Sequence, residues 1–196
     1  MRNYIITKNK LITNIIELMS KYGYNGISIR KITKKTNIKE STFYYYFKNK
    51  KSILDLIINI ANDILLQKLI LKENQNGYLF LQNSISTLIK TFNALTFLKI
   101  WRIINIESFN SDFYIKNKFI AIKLYLKKYF KNIILYLQNN NLIKNTESEI
   151  IIEDLYNNII ALLNEFSEMK LEEKNTIYTE EKLFNFINYF WNKIKK

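Results

Sequence analysis

The chain contains no proline and only three glycines in 196 residues. That removes nearly every strong helix breaker and tight-turn former, and so predicts an all-α protein whose helices are joined by short polar loops. Hydrophobic residues make up 48% of the sequence, enough for a buried core. The length leaves room for one domain or two small ones. No stretch approaches the ~18 uninterrupted apolar residues that a membrane span needs. The N-terminus, Met1-Arg2-Asn3-Tyr4-Ile5-Ile6-Thr7-Lys8, meets a lysine before a signal-peptide apolar region can form. With no cysteine there is no disulfide framework and no thiolate metal site. With no histidine the commonest general base and the commonest metal ligand are both missing. The expectation is a cytoplasmic, non-enzymatic protein with no catalytic residues, no metal, no cofactor and no membrane partner.

The formal net charge is +13, and its distribution says more than its size. Residues 1–60 carry twelve lysines and arginines against Glu17, Glu40 and Asp55, a balance of +9. The other 136 residues carry 18 basic against 14 acidic groups, a balance of +4. A compositional bias toward Lys, Asn, Ile and Tyr raises lysine everywhere, but it does not explain why acids nearly vanish from one third. The asymmetry predicts a polyanion partner for the N-terminal third.

Apolar residues at spacings of three and four mark a first helix over about Thr7 to Tyr22, through Leu11, Ile12, Ile15, Ile16, Leu18, Met19 and Tyr22. Thr7 is its expected N-cap and Gly23 its left-handed stop. Ser28 is the expected cap of a second helix, which ends near Thr36-Asn37, where Asn tolerates the αL conformation. A third, short helix follows from about Lys39 to Tyr46. A fourth runs from about Lys50 to Leu71, with Asn49 as cap. Three helices within some forty residues, the second and third separated by a tight turn, form a helix-turn-helix arrangement. There the third helix lies in the DNA major groove and the second crosses the backbone.

The polar run Lys72-Glu73-Asn74-Gln75-Asn76-Gly77 marks the domain boundary. Residues 1–58 are read as the DNA-binding domain, with its fourth helix continuing to about 71, and residues 72–196 as a second helical domain. Helices are expected there at about 78–92, 96–107, 113–140, 147–170 and 179–195, for about nine in all. The helix from Phe113 to Asn140 would be roughly 42 Å long. Thr146-Glu147-Ser148-Glu149 reads as a capping box. Thr179-Glu180-Glu181 reads as a hydroxyl cap and two acids opening the last helix.

The segment Asn37 to Leu54, and above all its core Thr42-Phe43-Tyr44-Tyr45-Tyr46-Phe47-Lys48-Asn49-Lys50, resembles the recognition helix and following turn of the tetracycline-repressor (TetR) family. Gly23, the run Ser28-Ile29-Arg30-Lys31-Ile32 and the apolar spacing of the first helix support the match, which covers about residues 7–58. The resemblance implies that Tyr44, Tyr46 and Lys50 hold backbone phosphates. Lys50 and Lys51 at a helix start, where cations are disfavoured by ~0.3–1 kcal/mol each, fit that role, because a bound phosphate reverses the penalty. Phe43 and Phe47 would pin the short helix to its neighbours. Base reading falls to Lys39, Glu40, Ser41, Thr42 and Tyr45: Lys suits guanine, Glu accepts from cytosine, and a Thr methyl meets a thymine methyl. Ser28, Arg30 and Lys31 would take phosphates or an adjacent base edge. The chain also departs from the family pattern. Thr33, Thr36 and Asn37 replace small residues, which predicts a looser crossing of the second and third helices. Lys39 stands where a capping serine is common, and lysine cannot cap. Ser41 replaces a frequent glycine and Lys51 a frequent glutamate.

The resemblance further implies that the C-terminal helices form a ligand pocket and a dimer interface. Aromatics concentrate on the middle helices, and Phe92, Phe97, Trp101, Arg102, Asn105 and Phe119 are the candidate ligand contacts. Leu155, Ile159, Leu162, Leu163 and Phe166 on one helix, and Leu183, Phe186, Ile187, Phe190 and Trp191 on the last, are the candidate dimer contacts. The expected function is a dimeric regulator, a repressor released from a palindromic double-stranded DNA operator by a small apolar or aromatic effector. One alternative is the same DNA-binding scaffold with a protein partner and no small ligand. A basic amphipathic protein lying on anionic lipid is a more distant one.

Overall fold

The computed structural model describes residues 2–144 and 147–196, with side chains from Lys8 onward. Among them are nine helices: α1 (Arg2–Tyr22), α2 (Ile29–Thr36), α3 (Glu40–Tyr46), α4 (Ser52–Lys68), α5 (Gly77–Phe92), α6 (Leu95–Glu107), α7 (Phe113–Asn139), α8 (Ser148–Leu171) and α9 (Ile177–Ile194). No strand is present among the described residues. A single bridge joins Ile143 to Lys195. No described helix is long and apolar enough to cross a membrane.

The cap chemistry explains most boundaries. Gly23 takes φ +65°, and its N–H closes on the Met19 carbonyl at 2.9 Å. Ser28 caps α2 by accepting from the Lys31 N–H at 3.1 Å. Asn37 ends α2 in the left-handed region, at φ 59° and ψ 51°. Asn49 accepts from the Ser52 N–H at 3.0 Å, so Lys50 and Lys51 form a turn leading into α4 rather than its first turn. Asn76 caps α5 through the Leu79 N–H at 3.1 Å.

Several expected boundaries move. Helix α1 begins at Arg2, which puts Thr7 inside it rather than at its cap. Helix α4 stops at Lys68, short of Leu71. Helix α9 starts at Ile177, and Thr179 is fully buried, its hydroxyl donating to Glu165 at 3.1 Å. Of the expected capping box, Thr146 lies outside the described residues, and Glu147 makes no side-chain cap bond to α8.

The chain divides into two compact units. One comprises Met1–Asp63 with Lys99–Ile122, the other Ile64–Leu98 with Lys123–Lys196. Helices α4, α6 and α7 therefore contribute residues to both. In the first unit α1 packs on α2 and α2 on α3, around Leu11, Ile15, Met19, Ile32, Phe43, Ile53 and Ile57, all without solvent exposure. Each such side chain contributes roughly 1.5–3 kcal/mol. Thr33 and Thr36 are buried, and their hydroxyls donate to the Arg30 and Ile32 carbonyls at 3.2 and 2.9 Å. Each hydroxyl thus donates within α2, that of Thr36 also accepts from the Asn14 amide of α1 at 3.4 Å, and both side chains are buried. An ion pair between Lys35 and Glu17 ties α2 to α1, and its hydrogen bond holds the Glu17 carboxyl below its ordinary range.

In the second unit α5, α8 and α9 pack on one another. Phe80 stacks on Tyr136 at 4.1 Å, and Phe130 meets Tyr156 edge-on at 5.7 Å. The Tyr129 hydroxyl donates to the Ser84 carbonyl at 3.0 Å, and burial pushes this phenol up to about 12. Gly77, the first residue of α5, packs tightly against α9: a Cβ there would lie 2.6 Å from Trp191 and 3.1 Å from Leu142. Gly77→Ala is therefore expected to destabilise the protein by about 1–3 kcal/mol, measured by denaturant unfolding. A net rise in stability on placing alanine there would contradict this packing.

Candidate nucleic-acid interface

All eleven residues expected to face DNA lie in the first unit and keep solvent exposure. Helix α3 has seven residues, too few to be stable in isolation. Its inward side is Phe43, with no exposure, and Phe47 follows one turn later with its ring centroid 5.3 Å away. With that side fixed, Tyr44 is 51% and Tyr45 72% exposed. Lys39, Glu40 and Ser41 are exposed at the start of α3, and Thr42 and Tyr46 are half-buried. Lys39 occupies the N-cap with no side-chain bond to the helix, as expected for a residue that cannot accept one. The first-turn N–H groups of α3 thus have no side-chain cap from it. Tyr45 and Tyr46 meet edge to face at 5.3 Å, which orders two neighbouring phenols on one surface.

Three lysines of this unit rest on tyrosine rings. Lys31 sits over the Tyr22 ring at 3.3 Å, Lys50 over Tyr24 at 4.2 Å, and Lys51 over Tyr114 at 3.8 Å. A carboxylate partner would cancel each charge. An aromatic face fixes the ammonium and leaves its positive field in place. Ser28 and Arg30 stand exposed beside Lys31 at the start of α2. Burial beside Tyr24 pushes the Lys50 ammonium down, and the nearby Glu107 carboxylate pulls it back up. A phosphate arriving here would stabilise the charged form further.

Tyr22, Tyr24 and Glu107 were not among the residues picked from the sequence. Glu107 ends α6 and is 1% exposed. It accepts from the Tyr24 backbone N–H at 2.6 Å and from the Asn110 side-chain amide at 2.5 Å. An acid in the last turn of a helix opposes the dipole, and this one follows the apolar run Ile103-Ile104-Asn105-Ile106. That local conflict, together with the Tyr-Gly-Tyr pattern around the helix-ending Gly23, was the available signal.

The candidate ligand contacts divide between the two units. Phe92 and Phe97 lie in the second unit and meet edge to face at 5.1 Å. Trp101 and Phe119 lie in the first unit, essentially without exposure, and Arg102 and Asn105 are half-buried there. Phe97 lines a surface cavity of about 380 Å³, with Ile64, Thr87, Thr91, Ala94 and Thr96 as further walls and Lys68 and Lys90 beside them.

Of the candidate dimer contacts, Leu155, Ile159, Leu163, Phe166, Leu183, Ile187 and Phe190 are buried within the second unit's own core. Leu162, Phe186 and Trp191 keep part of their surface. The apolar residues that α9 presents outward are Ile177, Tyr178, Phe184 and Tyr189.

Residues 11–57 match the family described as bacterial regulatory proteins, tetR family. The biofilm operon icaADBC negative transcriptional regulator IcaR of Staphylococcus aureus (strain Newman) is 37% identical over 71 residues, 36% of this chain and 38% of IcaR. The matched region thus spans less than two fifths of that relative. Among solved structures, the fold resembles that of SmeT in complex with triclosan, with a TM-score of 0.74, 12% identity and coverage of 97% and 92% of the two chains. It also resembles AibR in complex with isovaleryl coenzyme A and operator DNA, with a TM-score of 0.62, 14% identity and coverage of 83% and 86%. At these identities the likeness is one of fold.

Lys50→Ala is expected to weaken duplex binding on every sequence alike and to lower the slope of log affinity against log salt by about one. Tyr44→Phe takes away the phenol hydroxyl that would meet a phosphate, and is expected to cost roughly five- to tenfold in affinity. Fluorescence-anisotropy titrations at several salt concentrations measure both. Unchanged slope and affinity would remove these residues from the interface.

Proposed function

We propose that the chain, whose residues 11–57 match the tetR family of bacterial regulatory proteins, is a dimeric, sequence-specific DNA-binding regulator of that family. On this reading it is a repressor that leaves a palindromic operator when a small, largely apolar or aromatic effector binds the second unit. The observation that carries the reading is the first unit's outward face, where Tyr44, Tyr45 and Tyr46 stand with lysines whose charge is held on tyrosine rings. That face combines a polyanion-seeking field with hydrogen-bond donors for phosphate oxygens.

Helix α3 is the base-reading element. Lys39, Glu40, Ser41, Thr42 and Tyr45 supply the base-edge chemistry, and Ser28, Arg30, Lys31, Tyr44, Tyr46 and Lys50 hold the backbone. Two copies of a seven-residue helix read enough sequence for specificity only if they are spaced about 34–36 Å apart, one helical turn of DNA. This requires a symmetric dimer. The outward face of α9, with Phe184 and Tyr189, supports an isologous contact built with α8. An effector acts by binding more tightly to a conformation with the wrong spacing. The cavity beside Phe97 is the candidate entrance, and its apolar walls with two flanking lysines suit an apolar molecule carrying a negative charge. The occurrence of triclosan and isovaleryl coenzyme A in proteins of the same fold supports the effector reading.

Selection from a random duplex library should enrich a short palindrome. Its affinity should fall ~10³–10⁵-fold between 50 and 200 mM salt if ~6–10 phosphates are contacted. Enrichment of no sequence would sink the proposal. Phe184→Lys is expected to convert a dimer to monomer by sedimentation while leaving the helical content unchanged, since the residue is exposed in the protomer. Persistence of the dimer would move the interface off this face.

A further inference from the structure

The segment Tyr22-Gly23-Tyr24 aims two aromatic rings at two different lysines. Tyr22 lies under Lys31 and Tyr24 under Lys50, at 3.3 and 4.2 Å. Between them Gly23 reverses the chain at φ +65°. The point where the backbone leaves that reversal is the Tyr24 N–H, which donates to the buried Glu107 carboxylate at 2.6 Å. The same carboxylate faces Gly23 so closely that a Cβ there would sit 3.1 Å from Oε1. Its other oxygen takes the Asn110 amide, which fixes the carboxylate's own orientation.

Two costs accompany this arrangement. A carboxylate removed from water is unfavourable, and an acid at a helix C-terminus opposes the dipole. No lysine or arginine forms an ion pair with Glu107 among the described residues; Lys50 acts on it through space alone. A residue kept against both costs, bonded to the backbone of a loop that carries two lysine platforms, points to a role beyond packing.

We propose that Glu107 is a positioning residue: it fixes the Tyr22–Tyr24 loop and thereby holds Lys31 and Lys50 at the separation the DNA backbone requires. The inference rests on the DNA-binding reading for its purpose, but its geometry can be tested without DNA. Glu107 touches no nucleic acid itself. It acts through one backbone hydrogen bond, and the tyrosine rings carry that constraint to the ammonium groups.

The test uses the full chain with Glu107→Ala and Glu107→Gln, read by amide hydrogen exchange and by anisotropy titration on a fluorescent 20–30 base-pair duplex. In Glu107→Ala the Tyr24 amide should exchange about tenfold faster or more, while α2 and α3 amides stay within about threefold of the parent. Duplex affinity should fall about tenfold at a temperature where the variant is fully folded, the equivalent of one well-placed charge-assisted hydrogen bond. Glu107→Gln keeps an oxygen for the Tyr24 N–H and should recover most of both losses. A variant that melts earlier but binds the duplex with parental affinity would overturn the inference, because a merely structural role predicts that result. Unchanged Tyr24 exchange in Glu107→Ala would overturn it as well. If the parent itself binds no duplex, the DNA-binding reading fails, and the exchange experiment alone decides whether Glu107 holds the loop.

Discussion

Seven residues cannot hold a helix in water, so everything α3 presents to solvent depends on how Phe43 is buried. Phe43 has no solvent exposure, and Phe47 extends the same anchor one turn later. Because residues four apart share a helix face, fixing Phe43 and Phe47 inward turns Tyr44 and Tyr45 outward. The buried pair is the same in kind as any aromatic core contact. Its consequence is geometric: it decides which side chains a duplex can meet.

The second constraint is electrostatic. A unit with so large a basic surplus repels itself, and a common remedy is a carboxylate beside each ammonium. Here Lys35 follows that remedy with Glu17, and Lys118 does so with Asp55 while also lying over the Tyr114 ring at 4.7 Å. Lys31, Lys50 and Lys51 have tyrosine faces instead. Ion pairing neutralises a charge, whereas an aromatic face localises it. The division separates lysines with a carboxylate partner from lysines with a ring alone, whose field stays available to a polyanion. Buried Glu107 belongs to neither class, since it bonds to backbone and amide groups.

Much of this was legible in the sequence. The α2–α3 turn was readable because Ser28 and Asn37 have few alternatives to the cap and αL roles they take. The absence of proline foretold an all-helical chain, and the aromatic spacing of residues 43–47 foretold the anchor. Other features depended on what lies far away along the chain. Thr179 reads as a cap, but its neighbour Glu165, fourteen residues earlier, draws its hydroxyl into the core. The apolar residues of α8 and α9 show the helical period without revealing which side faces another copy, and most of those chosen are consumed by the protomer's own core. Thr33 and Thr36 suggested loose packing. In the fold their hydroxyls bond back to α2, and that of Thr36 also accepts from the Asn14 amide of α1 at 3.4 Å, so both side chains are buried with their polar atoms satisfied. Glu107 and Tyr24 are 83 residues apart, and no local pattern joins them.

The central claim is that one face, made by the start of α2, the outer side of α3 and the turn before α4, meets duplex DNA. Amide chemical-shift mapping tests it most directly: ¹⁵N-labelled protein is titrated with its selected duplex at low salt. The account predicts shifts concentrated at residues 28–31, 39–46 and 50–52, with the α8 and α9 amides unmoved. Shifts absent from α3, or centred on α8 and α9, would contradict it.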